Sequence, residues 1–557
     1  MGVAHDYATA VMRRGLVEME PVGFVPDWSD RPRKEKFYPG AQASRLPDGD
    51  YPASASLELG LGPGGDGEFT LPLLGGMLRD SYGLGDRRLA VQANTDLGSL
   101  PVYTHANFSR GTASGGGLYP VSVYWVCGPG GPLTPGVYHY SPNRHAMARL
   151  LAGDVSGEVR ESLRAEESHP GADSGQFLVL GVKFWQNSFK YNSFSYHAVT
   201  MDVGTLVQTW RMWAAARGLL IGPALWFDEV RLAALLGISP REEGLFAVVP
   251  LRWQGEAAGR PPRPSTAHRA LVRHRDQERS RRLLDFEALD GMQRAALTGA
   301  TERPAAGALD AAAVRPVPPG GRRLALPGPE PLTMDVRRAL RGRRSSFGRF
   351  DAREPLDAAK LHTVLRASRA GAAFACDVYR PDAPPLVAWY VFVNHVAGVE
   401  PGTYAYDGGS GELRLIKPGP PGAFLQANYF LSNYNLEQAG AVVVPAMRTL
   451  AVLDAVGDRG YRLVGAVIGA AAQACYTAAS AAGTGCGVAL GFEAVTYAGE
   501  LGLDGSGERP LLVMLVGNEA PGGADFHYGI TEGPETVSEG PETTSEGPET
   551  TSAGPAR

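Results

Sequence analysis

A chain of 557 residues with a formal net charge of −5 is too long for one ordinary core and carries no general attraction for nucleic acid. Its four cysteines, Cys127, Cys376, Cys475 and Cys486, are scattered, which excludes a metal-spaced cluster or a dense disulfide framework and fits a reducing cytosol. The start, "MGVAHDYATAVMRRGLVEME", lacks the apolar stretch of a secretory signal, so a cytoplasmic location is expected.

In chain order, residues 1–66 are rich in Pro, Asp and aromatics and read as an irregular arm. Residues 67–253 form a first periodic block. It holds an apolar strand ("VSVYWVC", 121–127), a second strand ("FLVLGVKF", 177–184), a helix near 202–217 ended by Gly218, and a third strand ("LFAVVPLRW", 245–253). Residues 254–330 read as a connector with one helix near 278–297. Its basic run "HRALVRHRDQERSRR" (268–282) reads as a solvated helix face. Residues 331–528 repeat the first block's order: "VAWYVFVN" (387–394), "AGAVVVPAM" (439–447), a helix near 463–482 ended by Gly483, and "LLVMLVGN" (511–518). The Ala/Gly-rich run "LVGAVIGAAAQACYTAASAAG" contains Gln473 and reads as a packed core helix rather than a membrane span. The tail 529–557 repeats "EGPETTS"-like units with Gly and Pro in each and is expected to be disordered.

The two blocks are copies. Displaced by 265 residues, Tyr196 meets Tyr461, Gly204 meets Gly469, Gln208 meets Gln473 and Phe227 meets Phe492; displaced by 266, "PGVYHY" (135–140) meets "PGTYAY" (401–406). The Tyr, Gln and Phe matches fall outside any alanine bias, so two central sheets wrapped by helices are expected, paired as a dimer within one chain.

The copies diverge in complementary ways. The first holds "RGTASGGGLYP" (110–120), where Arg110 supplies charge and Ser114, Gly115 and Gly116 let backbone approach a ligand; the second reads "RPDAPPL" there, with prolines that remove donors. The second holds "LRGRRSSFGRFD" (340–351), whose Arg343, Arg344 and Ser345 suit a phosphate; the first has no arginine in its rough counterpart, 54–62. One ligand site at the seam follows. Lys190 and Tyr191 belong to the copy with the glycine turn and fall on Ala455 and Val456 in the other. An amine beside a phenol suggests proton transfer, whereas a solvated loop lysine gives no reason for that asymmetry. His139, His145 and His197 lie near these motifs and read as packed or solvated; the histidines show no metal spacing.

The pattern Arg-x-x-x-Ser-Gly-Gly-Gly-Leu-Tyr-Pro, then Gly-x-Tyr-x-Tyr, then Lys-Tyr with a tyrosine five residues on, resembles the SagB/McbC-type dehydrogenases of the FMN-dependent nitroreductase superfamily. Those enzymes act in thiazole/oxazole-modified peptide pathways, thiopeptides included. "RRSSFGRFD" resembles the superfamily's phosphate-binding opening, and "PDWSDRPRKEKFYPGA" (26–41) its N-terminal arm. The resemblance implies an α+β nitroreductase-like fold in two tandem copies, one FMN between them, and oxidation of azoline rings to azoles. It implies as partners an azoline-containing precursor peptide and the cyclodehydratase of the same pathway, with no nucleic acid and no membrane. FMN is assigned to Arg110, Ser114, Gly115, Gly116, Arg343, Arg344 and Ser345, with Gly485, Gly487 and Gly491 of "GCGVALGF" near its ring, and catalysis to Lys190 and Tyr191. Two other readings remain at this point: an NAD(P)H-dependent nitroreductase or quinone reductase, and a non-catalytic scaffold.

Overall fold

The computed structural model describes residues 2–49, 52, 54–89, 106–164, 173–256, 274–315, 321–380, 382–521 and 527–529. Two antiparallel sheets carry the fold. The first has the order Ala43–Arg45, Ala146–Ala152, Gly136–Ser141, Val121–Cys127, Gln176–Lys183, Glu243–Leu251. The second has Gly485–Ala489, Val513–Gly517, Ala441–Met447, Val387–Val393, Gly402–Asp407, Glu412–Pro418, Arg323–Ala325, and Arg509–Pro510 also pairs with Ala441–Met447. The middle strands follow the same order in both sheets. Even the irregularities repeat: one ladder slips between Val137 and Tyr138, the other between Thr403 and Tyr404, 266 residues apart in each case. The strands Val121–Cys127 and Ala441–Met447 are buried end to end, as their apolar runs require.

Two long helices, Ser195–Ala215 and Gly460–Ala481, lie against each other between the sheets. Both start earlier than periodicity suggests, and both are followed by the expected left-handed glycine, Gly218 at φ 69° and Gly483 at φ 66°. Their backbones touch through glycine. A Cβ at Gly204 would lie 2.1 Å from the Ala466 carbonyl oxygen, and one at Gly469 would lie 2.1 Å from that of Met201. The two contacts exchange under the 265-residue displacement, as a self-complementary dimer interface demands. The helix Gly460–Ala481 is long and apolar enough to cross a membrane, but 94% of its most apolar window is buried inside the protein. A buried ion cluster also joins the halves. Glu229 accepts from Arg459 (2.9 Å) and Arg462 (2.8 Å). Burial pushes its carboxyl up, and the two guanidinium groups outweigh that and hold it at about 2.

The N-terminal region departs from the irregular arm expected. Val3–Arg13 is a helix burying Ala4, Tyr7, Ala8 and Val11 on one face. It bridges the halves: Tyr7 donates to the Ser193 carbonyl (2.8 Å), and the Ala4 N–H donates to Asp458 (3.1 Å). The connector departs too. Its helix is Glu287–Thr298, and residues 274–286 are not helical. Instead of presenting a solvated helix face, Arg281 and Arg282 give their N–H groups to Asp30, and Asp276 pairs with Lys183 at 2.5 Å. Residues 268–273 of that basic run, and the repeat tail beyond Gly529, lie outside the described residues.

Candidate active site

The glycine turn follows from two left-handed residues, Gly116 at φ 62° and Gly117 at φ 64°, which only glycine adopts without strain. It is tied down from both halves. Asp202, on the first long helix, accepts from the Ser114 hydroxyl (2.8 Å) and the Gly115 N–H (2.8 Å). Gln473, on the second, accepts from the Ala113 N–H (2.9 Å) and donates to the Gly111 carbonyl (3.1 Å). Arg343 then crosses the seam, donating to the carbonyls of Gly111 (2.8 Å) and Arg110 (3.0 Å). The arginine-serine cluster and the glycine turn, distant in sequence, are thus in direct contact.

Individually, these residues meet different partners. Arg343 is buried against backbone carbonyls and braces the turn. Ser345 bonds the Tyr476 hydroxyl at 2.9 Å, and that hydroxyl accepts the Val488 N–H at 3.0 Å. Arg344 faces a cavity of about 430 Å³ together with Ser346, Tyr476, Thr484, Gly485, Cys486 and Glu519, and it pairs with Glu519 at 2.6 Å. That volume lies within the roughly 300–1,000 Å³ of ligand pockets. Gly485 packs on Ser346 and Glu519, whereas Gly487 and Gly491 make room for Tyr434 and Leu431 of the same half. Arg110 turns the other way: its guanidinium carbon lies 4.4 Å from the ring centroids of both Tyr82 and Tyr119, and its buried Nε and Nη1 have no hydrogen-bond partner among the described residues.

Lys190 and Tyr191 end the short helix Trp185–Tyr191. A Cβ on Gly116 would lie 2.4 Å from the Tyr191 hydroxyl and 2.7 Å from Lys190 Nζ. The missing side chain therefore makes room for these two groups of the chain itself, where the sequence suggested room for a ligand. Lys190 Nζ sits 4.8 Å from the Tyr191 ring centroid. Both side chains are half-buried, and neither polar group has a hydrogen bond or ion pair among the described residues. His197 is packed, its Nδ1 2.8 Å from the Tyr461 hydroxyl; burial and the charge of Arg14 push it down to about 3.

The counterpart position in the other half is filled. Arg211, which corresponds to Tyr476, donates to Gln208 (2.8 Å) and to the Ala373 carbonyl (3.0 Å), and lies 5.7 Å from the buried Phe374 ring. The N–H groups of Leu225 and Trp226, counterparts of Leu490 and Gly491, go to the Asp377 carboxylate at 2.8 and 3.1 Å.

Asp202 was missed in the sequence, although its counterpart is Val467. Burial raises its carboxyl to about 7, against the pull of the Gly115 N–H and Ser114 hydroxyl. The folded protein then holds a proton that the unfolded chain gives up near pH 4. Stability from this group is full below pH 4 and is lost as pH rises to about 7. Asp202→Asn is expected to remove that loss, a difference of up to roughly 4 kcal/mol. Urea unfolding of the apoprotein at pH 4.5 and 7.5 measures it; equal pH dependence in both proteins would show that Asp202 does not titrate in this window.

A family model described as the nitroreductase family matches residues 340–518. Among solved structures, a putative nitroreductase from Anabaena variabilis ATCC 29413 aligns at 20% identity with a TM-score of 0.68, covering 93% of this chain and 100% of its own. Two others align over less. A putative nitroreductase from Ralstonia eutropha JMP134 covers 38% of this chain and 98% of its own at 19% identity and a TM-score of 0.28. The Escherichia coli microcin synthetase McbBCD, with truncated pro-MccB17 bound, covers 37% and 68% at 20% identity and 0.26. Only the first alignment is close enough to speak to the fold. No protein of curated function matches the sequence. Residues 340–518 match the nitroreductase family model, and the fold of the chain as a whole is nitroreductase-like.

Proposed function

We propose that the chain is an FMN-dependent oxidoreductase that converts azoline rings to azoles in a ribosomally made peptide. The observation that carries this reading is the pair Lys190 and Tyr191, whose amine and phenol converge on the glycine turn with no structural hydrogen bond to occupy them. Hydride delivery to a quinone or nitro compound would ask such a pair to give up a proton, whereas azoline oxidation asks it to take one.

The donor set suits FMN. Arg344, Ser346 and residues 484–486 line the cavity, and Arg344 and Ser346 offer a cation and a hydroxyl to a phosphate. Glu519 competes for the same guanidinium, so phosphate binding requires Arg344 to leave that carboxylate. With the counterpart position filled by Arg211, Phe374 and Asp377, one FMN per chain is the expected stoichiometry.

When bound, FMN accepts two electrons and a proton as a hydride. The chain must handle the other proton. In an azoline the hydrogen on the α-carbon is acidified by the ring imine and the adjoining carbonyl. Tyr191, with Lys190 beside it, removes that proton; Lys190 is the other candidate base. The buried floor of the site, Arg343 and Gln473 included, fixes the turn so that these groups hold their positions. Incubating the flavin-loaded protein with an azoline-containing peptide should lower the peptide's mass by about 2 Da per ring oxidised, with no added NAD(P)H. Inertness toward azolines, combined with NAD(P)H-driven reduction of nitro compounds or quinones, would replace this reading with the reductase one.

A further inference from the structure

Arg14 directly follows the helix Val3–Arg13, and its side chain enters the seam between the halves. Its guanidinium carbon stands 3.8 Å from the ring centroid of Phe194 and 5.3 Å from that of Phe430. Phe194 belongs to the first half and edges against Tyr191, with centroids 6.4 Å apart. Phe430 belongs to the second, and its N–H donates to the Gly491 carbonyl at 2.9 Å. The cation therefore lies between the Lys190–Tyr191 pair and the 485–492 stretch.

Its hydrogen-bonding capacity is unused. Among the described residues the guanidinium makes no hydrogen bond and no ion pair. The neighbouring acid is already engaged: Gly15 packs on the Glu493 side chain, but that carboxylate accepts the N–H groups of Val495 (3.2 Å) and Thr496 (2.5 Å), capping the next helix. Burial lowers Arg14 to about 10, with Tyr7, Tyr191 and Tyr461 opposing the drop, so it stays charged at neutral pH. The half-buried guanidinium keeps its donors open to an arriving acceptor. Exposed Leu16 and Val17 follow it in the chain, and exposed Phe430 and Leu431 lie on its far side. That apolar rim suits a peptide better than a small hydrophilic acid.

The geometry points to Arg14 as the residue that binds the carbonyl oxygen attached to the azoline's α-carbon and holds the negative charge that gathers there as the proton leaves. This rests on the azoline reading of the site. In the step, the α C–H bond breaks and its proton passes to the Tyr191 oxygen. The electron pair spreads onto the carbonyl oxygen, where the planar fork of a guanidinium donates to it. No electrons leave the substrate in this step, so it can be followed apart from oxidation.

The test uses flavin-loaded wild type, Arg14→Gln and Arg14→Lys with one azoline peptide, in two measurements. Aerobic turnover gives kcat and KM. In D2O without oxygen, with the flavin reduced beforehand, mass spectrometry follows exchange of the α-hydrogen for deuterium. Arg14→Gln is expected to keep its flavin absorbance and to lose about 10²-fold in both kcat and exchange rate, the size of effect seen when one donor to a developing oxyanion is removed. Arg14→Lys should recover part of both. Kcat and exchange within about twofold of wild type in Arg14→Gln, whether or not KM or thermal stability changes, would reduce Arg14 to a packing brace while leaving the azoline reading intact. A wild type that neither oxidises nor exchanges the peptide would remove both.

Discussion

Tyr191→Phe is expected to lower azoline oxidation by about 10²–10⁴-fold, the contribution of a positioned base. The loss should appear in kcat, with flavin content and unfolding midpoint unchanged. That separation follows from the structure. The Tyr191 hydroxyl has no hydrogen-bond partner among the described residues, so its removal leaves nothing in the fold unsatisfied, while the ring keeps its contact with Phe194. Lys190→Met should cost less if Lys190 only assists Tyr191, and as much if the amine is itself the base. Measuring kcat for both variants against pH separates the two assignments. Full turnover in Tyr191→Phe would take the phenol out of the chemistry.

A large effect on stability is expected where the two long helices touch. Gly204→Ala should destabilise the protein by about 1–3 kcal/mol, or more, despite the roughly 1 kcal/mol that alanine gains over glycine inside a helix. The new methyl would meet the Ala466 backbone at 2.1 Å, and backbone cannot swing aside as a side chain can. Gly469→Ala should behave alike, because it meets Met201 in the reciprocal contact. The double variant should lose less than the sum, since helices already forced apart by one methyl accommodate the second. Gly499→Ala is the control: that glycine is also helical but has nothing within 4 Å, so the substitution should be neutral or slightly stabilising. Urea midpoints of the four proteins decide the matter, and a Gly204→Ala protein as stable as the control would mean that the helix pair has slack.

The duplication was legible because it leaves several independent traces. A single displacement aligned Gly204 with Gly469 before anything was known of their reciprocal contact. Buried strands announced themselves as apolar runs, and Gly218 and Gly483 as helix ends. The site was legible at the level of which segments meet. It was not legible at the level of which atoms do what. Ser345 and Ser346 are adjacent, and only the path of the backbone decides that the first meets Tyr476 while the second faces the cavity. Arg343 and Arg344 divide in the same way into a brace and a cavity wall. The helix Val3–Arg13 did leave a signal, since Ala4, Tyr7, Ala8 and Val11 recur at helical spacing. The proline-rich sequence that follows drew attention from it. Asp202 was detectable by comparing the copies, where valine replaces it. Arg14 had no local signature, because its meaning depends on Phe430, over four hundred residues away.

The blocked position across the pseudo-symmetry axis bears on how successive rings are handled. On the proposed reading, Arg211, Phe374 and Asp377 occupy the place of a second electron store. With one FMN per chain as proposed, a reduced centre has no second flavin to which it can discharge, and an outside oxidant would have to clear it before the next ring is accepted. For a peptide with several azolines, time courses should show intermediates differing by one ring, each waiting on reoxidation, and the spacing of those waits should follow oxidant concentration rather than peptide concentration.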